Sequence, residues 1–182
     1  MSISIFIIDT SYLLELFSVP GHSNIQSNKE IRKRFEIAIK NSCRLYVPLP
    51  CIYELANHIA HIDDGDIRKD IASKIYNTIQ LSIREYFPWN ITPSTSIDEL
   101  PSMFEIFANE YVLQKISMTD TSIIQEAKRL KKEKYKVRVL EYIFGQKNVQ
   151  SKLMNRIKNQ IHSTDSLLFI YCPGMGPRTQ TH

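Results

Sequence analysis

Apolar residues fall along this chain in two patterns, short runs and helical stripes, and the two alternate. Ile5-Phe6-Ile7-Ile8 is β-branched or aromatic throughout and too short for a helix, which predicts a strand buried on both faces. The run stops at Asp9. Thr10 or Ser11 is then expected to cap a helix carrying Tyr12, Leu13, Leu14, Leu16 and Phe17. A polar loop around Pro20-Gly21 follows. Ile31, Phe35, Ala38 and Ile39 next repeat at helical spacing, predicting a helix from about Lys29 capped by Asn28. Leu45-Tyr46-Val47 reads as a second strand, stopped by Pro48 and Pro50. Proline is tolerated at the opening of the next helix, which carries Ile52, Leu55, Ala56 and Ile59 on one face.

Further along, Ile62-Asp63-Asp64-Gly65-Asp66 reads as a turn and helix cap. Its likeness to a calcium loop lacks the ligand spacing and the closing glutamate. Ile71, Ile75, Ile79 and Ile83 mark a helix over about 67–87, and prolines 88 and 93 break the chain after it. Trp89 between them is expected in the core. Leu100, Met103, Phe104, Phe107, Tyr111 and Leu113 predict one more amphipathic helix. Another begins among Thr119, Asp120, Thr121 and Ser122 and continues through Ile123, Ile124, Ala127 and Leu130. Val137-Arg138-Val139-Leu140 reads as a third clear strand with Glu141 at its end. Residues 150–161 look helical and basic, 167–171 strand-like, and the Gly/Pro/Thr-rich end from Cys172 is expected to be disordered. Strands alternating with helices make the class α/β with a mostly parallel sheet. The expected organisation is one domain over residues 1–145 with an extension over 146–182.

Composition narrows this only a little. The chain has 182 residues, 43% hydrophobic and 23% charged, enough for a full core in one domain. No apolar run approaches the roughly 20 residues of a membrane span. No basic segment precedes an apolar one at the start, so no signal peptide is expected. Three scattered cysteines argue against a disulfide framework or a zinc site and fit a reducing cytoplasm. A net charge of +4 is compatible with nucleic acid as a partner. The bases near Lys128, Arg129, Lys131 and Lys132 read either as a solvated helix end or as a rim for a phosphate backbone.

The chemistry rests on three acids placed at element ends. Asp9 follows the first strand, where open parallel sheets bind ligands. Glu54 lies in the first turn or so of its helix, and Asp120 at a helix start. Glu54 with His58 is too small a set for zinc. Clustered carboxylates repel and need a cation to stay ionised. An all-oxygen set selects Mg²⁺ or Mn²⁺, whose chemistry suits phosphodiester hydrolysis. The alternatives are a cap or turn role for Asp9, and a receiver-like acidic pocket, for which the chain has no matching arrangement near residues 45–50.

On these residues the chain resembles the PIN-domain ribonucleases. The strand ending Ile7-Ile8-Asp9-Thr10-Ser11, the helix glutamate of Val47-Pro48-Leu49-Pro50-Cys51-Ile52-Tyr53-Glu54, and the acid of Ser117-Met118-Thr119-Asp120 occur in the family's order. The likeness covers roughly residues 3–141. It implies a PIN-like three-layer α/β/α sandwich with a central, mostly parallel sheet. It also implies metal-dependent endoribonuclease activity, with Asp9, Glu54 and Asp120 as ligands of Mg²⁺ or Mn²⁺. Thr10 or Ser11 would support a ligand, and Lys128, Arg129, Lys131 and Lys132 would contact RNA. Many members are toxins held by a cognate antitoxin protein, and often homodimeric. The family's fourth acid has no exact counterpart. Glu141 or Asp165 of Ser163-Thr164-Asp165 could supply it, or the ligand is lost. With it lost, an inactive RNA- or protein-binding module of the same fold is the other reading.

Overall fold

The structure is a computed structural model and describes residues 5–93, 95–130 and 140–143. Its centre is β1 (Ile5–Ile8), where all four side chains are buried. A strand of large apolar residues with no polar face can persist only where both faces are covered. Its edges are covered too. β2 (Arg44–Pro48) pairs with it on one side and β4 (Leu140–Ile143) on the other, both parallel. β3 (Asn90–Thr92) adds to the outer edge of β2, giving the order β3-β2-β1-β4. The described fold is therefore α/β with a four-stranded parallel sheet.

Six α-helices join these strands among the described residues: α1 (Thr10–Leu16), α2 (Ile25–Lys40), α3 (Leu49–Ala60), α4 (Gly65–Glu85), α5 (Leu100–Ile106) and α6 (Met118–Arg129). α3 and α6 pack on β2, α4 meets β3, and α1 packs on α2 and α3. The apolar stripes explain this. Ile52, Leu55 and Ile59 bury one side of α3, Ile71 and Ile75 one side of α4, and Ile123, Ile124 and Ala127 one side of α6. Trp89 is buried just before β3, edge-on to Phe17 at 6.2 Å and Phe35 at 5.9 Å.

Several expectations change. The cap of α1 is Asp9, not Thr10 or Ser11, because the Asp9 carboxylate accepts the Tyr12 N–H. α2 starts a turn early, capped by Asn24, whose side chain accepts the Ser27 N–H. The helix expected through residue 113 is broken. α5 has no fully buried residue, a π-helical turn (Phe107–Tyr111) and a 3₁₀ turn (Val112–Gln114) follow, and Tyr111 is fully buried while Ile106 and Phe107 pack half-buried against the core. β3 escaped the pattern because three residues flanked by prolines carry too little periodicity. The last strand runs to Ile143, so Glu141 lies within it, level with Phe6, rather than at its end. The strand-like residues 137–139 and 167–171, the helical 150–161, the tail and the extension over 146–182 lie outside the described residues.

Candidate metal centre

Parallel strands put all their carboxyl ends on one edge of the sheet, and that edge collects the three acids. Asp9 directly follows β1, α3 leaves the carboxyl end of β2, and Asp120 lies in the first turn of α6, which packs on β2. The strand order adds a reason to look here. From β1 the chain moves outward to β2 and β3, then returns to β4 on the other side of β1. The connections diverge at β1, and ligands of open α/β sheets bind outside the strand ends at such a point.

Each acid is oriented by a hydroxyl group nearby in the chain or across the site. Asp9 is buried. Its Oδ1 accepts from Tyr12 N at 2.8 Å and its Oδ2 from Ser11 Oγ at 2.8 Å. Thr10 Oγ1 donates to Glu54 Oε2 at 2.6 Å, tying α1 to α3. Asp120 and Ser117 form a capping box. Ser117 Oγ donates to Asp120 Oδ2 at 2.8 Å and accepts the Asp120 N–H at 3.0 Å. Glu54 lies in the second turn of α3, and the first turn holds no acid. The helix dipole therefore contributes little to it, and the Thr10 bond holds it instead.

The charges feel one another. Burial drives the Asp9 carboxyl up to about 7; the bonds from Tyr12 and Ser11 pull it back, and the charges of Asp120 and Glu54 raise it further. Asp120 is raised as well, first by burial and last by Glu54, with Ser117 opposing. Cys51, buried on α3, was not singled out from sequence. Burial first, then the charge of Asp9, holds its thiol protonated, so it lines the site as a neutral group. Only its position three residues before Glu54 could have pointed to it.

The donors suit a hard cation: three oxygen carboxylates, mutually repelling, with one poised to ionise near neutrality. The arrangement is not a closed ligand cage. Among the described residues no three His, Cys, Asp or Glu side chains converge closely enough to hold one ion. The proposed basic rim is partly engaged. Lys128 Nζ donates to Tyr111 Oη at 3.2 Å, and Arg129 clasps Glu126 through Nε at 2.8 Å and Nη2 at 2.7 Å. Lys131, Lys132 and Asp165 lie outside the described residues. His22 and His58 stack edge to face at 4.4 Å. A separate cavity of about 570 Å³, lined by Phe17, Arg32, Phe35, Lys74 and Trp89 among others, includes none of the three acids.

No helix among the described residues is long and apolar enough to cross a membrane. Compared with protein-family models and with curated proteins, the chain matches none.

Proposed function

We propose that the protein is a metal-dependent endoribonuclease of the PIN type, built as that family's three-layer sandwich. One observation carries the reading: Asp9, at the point where the strand connections diverge, has its carboxyl pKa raised first by burial and further by the charges of Asp120 and Glu54. Three acids from distant parts of the chain share one electrostatic site, the condition under which a divalent cation is favourable. Asp9, Glu54 and Asp120 would hold Mg²⁺ or Mn²⁺, with Glu141 or Asp165 as the further acid. Bound there, such an ion lowers the pKa of a water and offsets charge on a phosphoryl oxygen.

The protein's own groups do the rest. Ser11 and the Tyr12 N–H fix the rotamer of Asp9, Thr10 that of Glu54, and Ser117 that of Asp120. Orientation of this kind costs no reorganisation when charge develops. Bases beyond α6 would contact the RNA backbone, contributing affinity rather than sequence choice. Action in the cytoplasm, and a cognate antitoxin as regulator, extend the same proposal.

The second reading is an RNA- or protein-binding module without cleavage, favoured by the engagement of every acid with a hydroxyl. Incubating a mixed RNA pool with the protein in Mg²⁺, Mn²⁺ or EDTA, with Asp9→Asn alongside, separates the two. The nuclease gives cleavage that EDTA and Asp9→Asn both abolish. RNA retained but uncut under every condition supports the module.

A further inference from the structure

The cavity of about 570 Å³ is walled by the end of α1, by α2 and α4, and by the two residues before β3. Its volume is that of a small-molecule site. Trp89, 3% exposed, forms part of its lining, and the half-buried Phe17 and Phe35 both meet that ring edge to face. One more ring added to such a cluster finds the same favoured geometry. The Trp89 Nε1–H has no acceptor among the described residues, although a buried indole N–H usually finds one.

Charge stands at the exposed rim. On α4, Asp70 and Lys74 neutralise each other at 2.6 Å. On α2, Arg32 and Glu36 lie one helical turn apart and do not pair. Arg32 turns toward α1 instead: its Nε donates to Asn28 Oδ1 at 2.9 Å and its Nη2 to the Leu16 carbonyl at 2.9 Å. A guanidinium carries more N–H groups than these two bonds use. Glu36 has no hydrogen bond or ion pair among the described residues. A cation held in place and a carboxylate without a partner, about 6 Å apart along the helix axis, thus edge an aromatic floor.

We infer that this cavity binds a small aromatic zwitterion, a molecule with the chemistry of an aromatic α-amino acid. Its ring packs on Phe17, Phe35 and Trp89, its carboxylate meets Arg32, and its ammonium meets Glu36. A ring compound carrying only one of the two charges leaves the other side chain uncompensated, so the pair of charges sets the selectivity. The inference stands apart from the proposed nuclease, since the cavity uses none of the three acids.

Trp89 is the chain's single tryptophan, so its fluorescence reports on this cavity alone. The full chain is titrated with L-phenylalanine, 3-phenylpropionate and phenethylamine, none of which contains an indole. L-Phenylalanine should change the Trp89 emission saturably, and each single-charge analogue should bind about tenfold more weakly. Glu36→Gln should weaken L-phenylalanine about tenfold and leave 3-phenylpropionate, which has no ammonium, unchanged. Glu36 makes no bond in the fold, so this variant is the deciding one; an unaltered emission spectrum before titration shows it is folded. If that spectrum shifts, the ranking of the three compounds on the wild type decides. No saturable response to L-phenylalanine overturns the inference, as do equal affinities for the three compounds. An equal loss for all three in Glu36→Gln also overturns it, by assigning Glu36 to packing rather than to recognition of the ammonium.

Discussion

Asp9 does two jobs with two oxygens. Oδ1 caps α1 through the Tyr12 N–H, while Oδ2 rests on Ser11 at the acidic site. Asn keeps an oxygen for the cap and removes the charge, whereas Ala loses both. Because the folded protein holds the Asp9 proton up to about 7 against an ordinary 3.8, the folded state binds more protons than the unfolded one between those values. Stability from this group therefore falls as pH rises from about 4 to about 7, and levels off above. Urea unfolding across that range should show the decline in the wild type and a shallower one in Asp9→Asn, which should be the more stable protein at pH 8 without metal. A steeper decline in the variant would contradict the burial of this carboxyl. Thr10→Val and Ser11→Ala remove the partners of Glu54 and Asp9 while leaving the acids. Each should weaken Mn²⁺ binding roughly 10–100-fold by calorimetry, the usual effect of freeing a ligand from its support.

The first turn of α6 and the strand β1 carry different loads. Ser117 and Asp120 satisfy backbone N–H groups that the start of a helix leaves open. Ser117→Ala should cost about 1 kcal/mol in urea unfolding and also release Asp120 from the rotamer it holds. Ile7, 1% exposed at the centre of the sheet, has no room to collapse around a cavity. Ile7→Ala should cost about 2–5 kcal/mol, and the two losses should add, since a cap and a sheet core share no partners. Glu15, buried on α1, accepts the Asn24 N–H at 3.2 Å and fastens that helix to the cap of α2.

For the molecule as a whole, the acidic edge is a place where stability has been given up. Three carboxylates held near one another disfavour the folded state until something neutralises them. Mn²⁺ at about 100 times its dissociation constant should add about 2.7 kcal/mol, a rise of roughly 5–10 °C in Tm for a chain of this length. Asp9→Asn should lose most of that rise. Scanning calorimetry at pH 8 checks it, and an equal rise in both proteins would place the ion elsewhere.

Much of the architecture is local in origin and is legible in the residues themselves. The all-apolar run at Ile5–Ile8 and the stripes of α3, α4 and α6 follow from burial acting over a few neighbouring positions. Hence the α/β class and the parallel sheet could be read directly, as could the places of Asp9 after β1 and Asp120 in the first turn of α6, whereas Glu54 sits one turn deeper in α3 than its sequence suggests. Long-range pairing decided the remainder. The order β3-β2-β1-β4 put β4 beside β1 and Asp9 where the connections diverge. Packing of α1 on α3 matched Thr10 with Glu54 and left Ser11 to Asp9. Burial, a property of the assembled core, moved the Asp9 carboxyl to near neutrality. Periodicity tells a residue which way to face; which other residue it meets there depends on chain segments it has no local means of sensing.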